Sequence, residues 1–229
     1  MASKIANYAD DNHLSVDHSS LSQLSKILED DTNLAIKWFV NNSMDANPEK
    51  FQCTVLGKDK NECFSINVQE NTIISQNAIK VLGVSLDNQL NFNLHIQNIC
   101  KNASRQINAF WRIAKYLNES NRVLIYKSFI LSNFNYSPVA WIFCGKRNSN
   151  KLERLQLRAL RFVYKDTLST YEMLLKRSNF LPLSIYRLKF LAIEVYKCVN
   201  ELNPSYLNDL IKTKSIPYNF RDSSILKQF

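Results

Sequence analysis

Glycine and proline are scarce in this sequence of 229 residues, which contains only 3 and 5 of them. Gly57, Gly83 and Gly145 lie too far apart for a Gly-rich phosphate-binding loop, so dinucleotide-binding and P-loop motifs are excluded. The five cysteines form no C-x-x-C pair and the three histidines have no ligand spacing, which excludes a zinc finger. An odd number of cysteines without a signal-peptide pattern favours a reducing compartment, nuclear or cytoplasmic.

Long apolar runs are missing as well. The most apolar stretch, residues 123–144, is interrupted by Lys127, Asn133, Asn135 and Pro138. We therefore interpret it as a core segment and predict no membrane partner. Apolar residues make up 45% of the chain and charged residues 21%, a balance typical of globular proteins that bury a core without disulfides or metals.

Positive charge is concentrated in one half of the chain. The formal net charge is +9, but residues 100–200 carry 18 Lys and Arg against 5 Asp and Glu, while the remainder has a net charge of −4. This segregation favours a polyanion partner, with nucleic acid ahead of an anionic membrane surface, over a charge that serves solubility alone.

The first part of the sequence mixes strand and helix patterns. Two short β-type runs flank Asp10-Asp11-Asn12, so residues 4–16 are predicted to form a β-hairpin with two carboxylates at its tip. Helical spacing follows up to about Asn42, with Ser19 or Ser20 as the cap. Later strands are predicted at residues 51–56, 63–68, 72–74 and 79–86.

From about residue 92, helical periodicity replaces these patterns, and it favours helices near 92–117, 119–134, 148–165, 170–178, 184–201 and 204–213. The sequence therefore predicts an α+β fold. Its domains would be an α/β-mixed part at 1–90 and an all-α part at 91–213, followed by a poorly structured tail at 214–229.

Two of the predicted helices carry a row of cations on one face and apolar residues on another. The rows comprise Lys101, Arg105, Arg112 and Lys115 in the first helix, and Lys151, Arg154, Arg158, Arg161 and Lys165 in the second. Like charges at i,i+4 repel, which costs a few tenths of a kcal/mol per pair. A bound polyanion would offset that cost, so we favour phosphate contact over two ordinary solvated faces.

The aspartate pair is the one constellation that suggests an active site. Carboxylate oxygens are preferred ligands of Mg²⁺, and two such ions can promote phosphoryl transfer. Neighbouring strand residues point to opposite faces, so Asp10 at the turn is favoured as a ligand over Asp11. A plain Asx turn is the alternative, and the tetrapeptide alone favours it.

Most aromatic residues, and all three tryptophans (Trp38, Trp111 and Trp141), are predicted to lie in the core instead of forming a base-stacking platform. The core prediction extends to Tyr116, Tyr126, Phe129 and Phe162, which occupy apolar positions of the predicted helices. His13, His18 and His95 are predicted to be surface residues.

An ordered series of short motifs runs through the chain. It comprises Tyr8-Ala9-Asp10-Asp11, Leu34 to Phe39, Asn47-Pro48-Glu49-Lys50-Phe51, Lys80 to Val84, Leu90-Asn91-Phe92, Phe134 to Pro138 and Arg158-Ala159-Leu160-Arg161. In this order and spacing the series resembles the C-terminal half of a reverse transcriptase from a jockey-like non-LTR (LINE-type) retrotransposon. The resemblance implies an incomplete polymerase palm, made of antiparallel strands and one long helix, followed by an all-α thumb-like region.

The resemblance also implies roles for residues of the first part. Asp10 and Asp11 would bind Mg²⁺ in the palm, and Tyr8 would touch the minor groove of the primer–template duplex. Lys50 would assist proton transfer to pyrophosphate, whereas by itself it is an ordinary solvated lysine. Leu82-Gly83 would form the primer grip, and a simple β-bulge is the alternative.

The partners implied are an RNA template and a DNA primer or target DNA, which the two basic rows would face. In this family the fingers and the first catalytic aspartate should precede residue 1. We therefore expect a truncated polymerase fragment with little activity alone, unless an upstream polymerase half joins it on another chain. The alternatives are a non-catalytic nucleic-acid-binding protein and an element relic without function.

Overall fold

A computed structural model describes residues 1–57, 59–60 and 62–208 of the chain. The fold is α+β, as predicted, with short antiparallel strand pairs followed by helices. The chain divides into two compact units between Asn98 and Ile99. No helix among the described residues is both long and apolar enough to cross a membrane.

The first unit contains three antiparallel hairpins and one long helix. The hairpins are β1 (Lys4–Tyr8) with β2 (Asp11–Ser15), β3 (Ser65–Val68) with β4 (Asn71–Ile74), and β5 (Ala78–Val81) with β6 (Val84–Asp87). Helix α1 (Leu21–Asn41) packs on β3, whose alternate residues Ile66 and Val68 point into the core with Ile36 and Phe64.

Three details of this unit differ from the predictions. Ser20 occupies the N-cap of α1, but its hydroxyl pairs with that of Ser22 at 2.9 Å and caps no backbone N–H. Residues 51–56 form no strand. Cys53 pairs with Ser75 in an isolated β-bridge, which does not extend into a ladder. The single strand predicted at 79–86 is a hairpin instead.

The turn of that hairpin is made by Leu82 and Gly83, at φ values of 46° and 83°. Two successive positive φ values are typical of the tight turns that match the twist of paired strands. Glycine adopts this backbone freely and leucine does not. A single strand was predicted here because a two-residue turn hardly interrupts the alternation of apolar and polar side chains.

Asp87 organises the loop that leads from β6 into the next helix. One carboxylate oxygen accepts the backbone N–H groups of Gln89 and Asn91, each at 3.1 Å, and the other accepts that of Phe92 at 2.7 Å. Leu90 and Phe92 are held at a φ of 55°. The Leu90-Asn91-Phe92 motif is therefore a loop shaped by a carboxylate.

His95 is buried, with 4% of its surface exposed, so the prediction of a surface residue was wrong. Its Nδ1 accepts the backbone N–H of Ser85 at 3.3 Å. Burial of the ring disfavours the charged form and lowers the pKa of His95 below its ordinary value. His18, by contrast, is exposed.

Acidification from pH 7 to pH 5 is expected to destabilise the first unit through His95. The imidazole of His95 takes up a proton near pH 6.5 in the unfolded chain and only at lower pH in the folded chain. Its contribution to the free energy of unfolding is therefore fully present above about pH 6.5 and is lost as the pH falls. Urea unfolding followed by circular dichroism at several pH values measures this effect. The slope should flatten in His95→Gln and persist in His18→Gln, and an unchanged slope in His95→Gln would contradict the prediction.

The second unit is helical. Its elements, with the start of the first one lying before the division, are α2 (Asn93–Ala114), α3 (Glu119–Ile125), a π-helical turn (Tyr126–Leu131), α4 (Ser132–Asn135), α5 (Lys146–Tyr164), α6 (Tyr171–Ser178), α7 (Leu183–Val199) and α8 (Ser205–Asn208). The helix predicted at 119–134 is thus one helical run with a π turn inside it. The rest of the helix predicted at 204–213, and the tail at 214–229, lie outside the described residues.

The apolar faces predicted for the two cation-bearing helices are confirmed at most positions, but Leu155 and Phe162 of α5, and Leu117 beyond the end of α2, are only half-buried. The apolar residues of α2 that recur at steps of three and four are at most 7% exposed, and they are Ile96, Ile99, Ala103, Ile107, Phe110 and Ala114. In α5, Leu152, Ala159 and Val163 are fully buried. Helix α5 packs against α3, the π turn, α6 and α7, so it lies at the centre of this unit.

A buried arginine joins the C-terminal ends of two segments. Arg122 is 5% exposed, and its Nε donates to the carbonyl oxygen of Val163 at 2.5 Å. A second guanidinium nitrogen donates to the carbonyl of Leu117. The last carbonyls of a helix lack partners within it, so the cation satisfies one of these at the end of α5 and favours the negative end of its dipole.

A buried polar network fixes α5 against α6 and α7. Glu153 accepts the backbone N–H groups of Leu183 and Ser184, at 3.1 and 2.8 Å, in the first turn of α7. Gln156 is fully buried, and the Tyr171 hydroxyl lies within hydrogen-bond distance of both Glu153 and Gln156. Burial, with the neighbouring Glu153, strongly raises the pKa of Tyr171, which keeps the hydroxyl protonated.

Candidate carboxylate hairpin and nucleic-acid interface

The predicted hairpin at residues 4–16 is confirmed, and its loop contains only Ala9 and Asp10. Tyr8 pairs with Asp11 across the last rung of the ladder. Ala9 has a φ of 53°, a left-handed backbone that costs an alanine about 1 kcal/mol. Backbone strain of this kind clusters at functional sites.

Both carboxylates at the tip are exposed to solvent. The side chains of Asp10 and Asp11 have no hydrogen-bond or ion-pair partner within the part of the chain that the structure describes. The Asn12 side-chain amide donates to the main-chain oxygen of Asp10 at 3.2 Å. Among the described residues no backbone N–H donates to the Asp10 carboxylate, the bond that defines an Asx turn. The two carboxylates are free to bind a cation.

The donor side chains at this tip limit how it can bind a metal ion. Across residues 1–57, 59–60 and 62–208, no three His, Cys, Asp or Glu side chains come together as a metal-binding group. Asp10 and Asp11 therefore supply at most two protein ligands of the oxygen type that Mg²⁺ prefers. A two-metal centre would need a further carboxylate from elsewhere.

The base of the hairpin is held by a buried aspartate of α1. Asp31 is 6% exposed, and one of its oxygens accepts the backbone N–H groups of Ala2 and Ser3 at 2.8 and 2.6 Å. Burial opposes ionisation, but the hydrogen bonds from Ser3 and Ala2 outweigh it and lower the pKa of Asp31. The entry into β1 is thereby fixed to the long helix.

The other predicted residues of the first unit are solvent-accessible. Tyr8 is 68% exposed beside the tip, and Leu82 is 38% exposed at the β5–β6 turn next to Gly83. Lys50 ends a short 3₁₀ turn over Pro48–Lys50 and is exposed. No hydrogen bond or ion pair joins Lys50 to Asp10 within the described residues.

In the second unit, the two basic rows meet. The Arg158 guanidinium donates to the side-chain oxygen of Asn108, and the Lys165 ammonium donates to the carbonyl oxygen of Lys115 at 3.4 Å. These two hydrogen bonds bring α5 near α2, one at Asn108 and the other at the residues that follow the ends of both helices. We name the joined cations the basic surface, which consists of Lys101, Arg105, Arg112, Lys115, Lys151, Arg154, Arg158, Arg161 and Lys165.

Among the described residues, no cation of the basic surface forms an ion pair with a carboxylate. Helix α2 contains no Asp or Glu, and the single acid of α5, Glu153, is engaged with the first turn of α7. The ion pairs among the described residues lie elsewhere and are Met1–Asp31, Glu119–Arg177 and Glu194–Lys197. Unpaired like charges on one face form a local positive potential that attracts phosphate.

Several aromatic residues that were predicted to be core are exposed. Trp38 and Trp111 are 57% and 61% exposed, and Tyr116 and Phe129 are 78% and 61% exposed. Trp141, which is fully buried, confirms the prediction. The error came from treating aromatic character as sufficient for burial.

Helical phase could have corrected the prediction for Trp111. At 100° per residue, Trp111 lies about 80° from the centre of the apolar arc of α2 and about 40° from Lys115. Tyr116 follows the end of α2 at Ala114, so the helical spacing no longer applies to it.

The chain is similar to two curated proteins of Drosophila melanogaster. It is 28% identical over 160 residues to the RNA-directed DNA polymerase from mobile element jockey, a match that covers 69% of this chain and 18% of that protein. It is 25% identical over 117 residues to the probable RNA-directed DNA polymerase from transposon X-element, covering 46% and 13%. The chain thus spans less than a fifth of either relative's length. No family model and no solved structure matches it.

Proposed function

We propose that this chain, which is related to the RNA-directed DNA polymerases of jockey-like non-LTR retrotransposons, supplies part of a polymerase palm and a thumb-like grip. The observation that carries the proposal is the hairpin tip, where Asp10 and Asp11 stand exposed and unpaired in a chain with this similarity. In this proposal the first unit belongs to the palm and the helical unit to the thumb.

Each proposed residue has a task in nucleotidyl transfer. Asp10 and Asp11 would hold Mg²⁺, which when bound activates the primer 3′-hydroxyl and neutralises charge on the leaving pyrophosphate. Tyr8, on the last rung beside the tip, would contact the primer–template duplex. Lys50 would give a proton to pyrophosphate, and the β5–β6 turn would approach the primer backbone.

The helical unit would position the duplex through its phosphates. The basic surface offers cations from two neighbouring helices, and guanidinium or ammonium contacts to phosphate carry no sequence information. Such contacts suit a polymerase, because it must hold any RNA template with its DNA primer. They would also serve target DNA.

Primer extension tests the catalytic part of the proposal. With an oligo(dT) primer on poly(rA) and Mg²⁺ or Mn²⁺, the chain alone should extend poorly, since its described residues provide only one carboxylate pair. Addition of the polypeptide segment that precedes the matched region in the jockey relative should supply the missing carboxylate and restore extension.

In that reconstituted reaction, Asp10→Ala should reduce the extension rate by about 1,000-fold or more, because removal of one member of a catalytic unit disables the whole. The matched control is Asp17→Ala, an exposed aspartate just beyond β2, which should leave the rate unchanged. Equal rates for Asp10→Ala and the wild-type chain would refute a catalytic role for the hairpin.

A second candidate function is nucleic-acid binding without chemistry. It is favoured by the position of the basic surface, whose residues all belong to the helical unit and none to the hairpin. Unchanged hybrid binding by Asp10→Ala, in a chain that never supports extension, would favour this candidate over the polymerase. A relic without function would show neither salt-dependent binding nor cooperative unfolding.

A further inference from the structure

An exposed tryptophan lies at the edge of the basic surface. Trp111 lines a depression on the second unit together with Arg112 and Lys115, and 61% of its surface is open to solvent. We infer that this depression is a stacking site for an unpaired base of single-stranded nucleic acid, with the two cations on its phosphates. The inference rests on the proposed binding function, and it adds a ligand, single-stranded nucleic acid, that the proposed function does not specify.

The neighbours of Trp111 extend the site. Tyr116 is 78% exposed, and the Lys115 ammonium lies 4.7 Å from the centre of its ring. The carbonyl of Lys115 also accepts the hydrogen bond from Lys165, so the depression is continuous with the basic surface. Two exposed aromatic rings and their adjoining cations therefore lie next to the basic surface.

The chemistry of the depression favours a nucleic acid over a protein segment. An indole face offers stacking to any base, because every base has a π-face. Arg112 and Lys115 add charge for the backbone phosphates, and α2 has no carboxylate that would repel them. Stacking together with backbone contact binds single strands with little sequence preference, which is what a flap or an unpaired template end requires.

The test compares two single strands of equal charge on the full chain. Fluorescein-labelled 12-nucleotide oligo(dT) has bases to stack, whereas a 12-nucleotide abasic strand has the same phosphates alone. Trp111→Ala should weaken anisotropy-measured binding of oligo(dT) by about tenfold, the factor that corresponds to one stacked base, and leave the abasic strand unaffected. Trp111→Phe should recover most of the affinity because it keeps an aromatic face.

Trp38→Ala is the matched control, since Trp38 is exposed to a similar extent, 57%, and should have no effect. In a Trp38→Phe background, oligo(dT) should quench tryptophan emission, because the remaining Trp141 is fully buried and only Trp111 is accessible.

The outcomes separate this inference from the function on which it rests. Normal RNA–DNA hybrid binding with oligo(dT) affinity insensitive to Trp111→Ala would overturn the stacking site alone. Equal weakening of both strands by Trp111→Ala would also overturn it. Failure of the wild-type chain to bind any of the three nucleic acids would overturn the proposed function as well.

Discussion

Arg122→Met should lower the free energy of unfolding by about 3 kcal/mol. Hydrogen bonds to a charged group contribute about 1.5–3 kcal/mol each, and this guanidinium makes two, to the carbonyls of Val163 and Leu117. Methionine fills similar volume but leaves both carbonyls without their donor. The loss should appear as a lower urea midpoint.

Two comparisons sharpen the measurement. Arg122→Lys keeps the charge but not the planar fork, so it should recover only part of the lost stability. Arg147→Met removes an exposed arginine near the start of α5 and should change the free energy of unfolding by less than about 0.5 kcal/mol. An Arg122→Met chain that unfolds at the wild-type midpoint would show that the buried cation does not join these segments.

The second large effect is expected from charge reversal on the basic surface. Arg154→Glu combined with Arg158→Glu should weaken RNA–DNA hybrid binding by about 100-fold at low salt, because two exposed cations become anions. For the wild-type chain, log Kd against log salt should have a slope whose magnitude is about 4 to 7, if five to eight cations each neutralise a phosphate. The double variant should reduce that magnitude by about 2.

The control changes the net charge equally at another place. Lys176→Glu with Lys189→Glu alters two exposed lysines on α6 and α7, outside the basic surface, and should have much less influence on binding. Similar losses for both double variants would mean that the overall positive charge, and not the neighbouring helices, attracts nucleic acid. Far-ultraviolet circular dichroism should confirm that each variant remains folded.

The sequence alone predicted the features that depend on neighbouring residues, and it missed those that depend on contacts between residues far apart in the chain. The hairpin around Asp10 and the buried face of α2 follow from local periodicity and turn chemistry, and both predictions are confirmed. Contacts distant in sequence left no local signal. The Arg158–Asn108 bond joins residues 50 apart, so the periodicity of either helix could not indicate that the two basic rows meet.

The errors have a similar physical origin. His95 is a polar residue that is buried with its Nδ1 bonded to the backbone N–H of Ser85 in the preceding strand, and composition does not reveal such a partner. Trp111 is exposed because its helical phase, more than its hydrophobicity, sets its direction. The motif series anticipated the kinship with the jockey polymerase, whereas the individual roles of Tyr8, Lys50 and Gly83 stay predictions.

Glu153 has an effect on the exterior of the protein although it faces α7. That carboxylate keeps its charge, but it is directed at the N–H groups of Leu183 and Ser184 and so lies on the α7 side of α5, about 120° around the helix from the cation row. An approaching polyanion therefore meets the Lys and Arg side chains of α5 at nearly their full strength. Summing charges along the sequence underestimates this local field, so capture of nucleic acid should be faster than the net charge of +9 suggests.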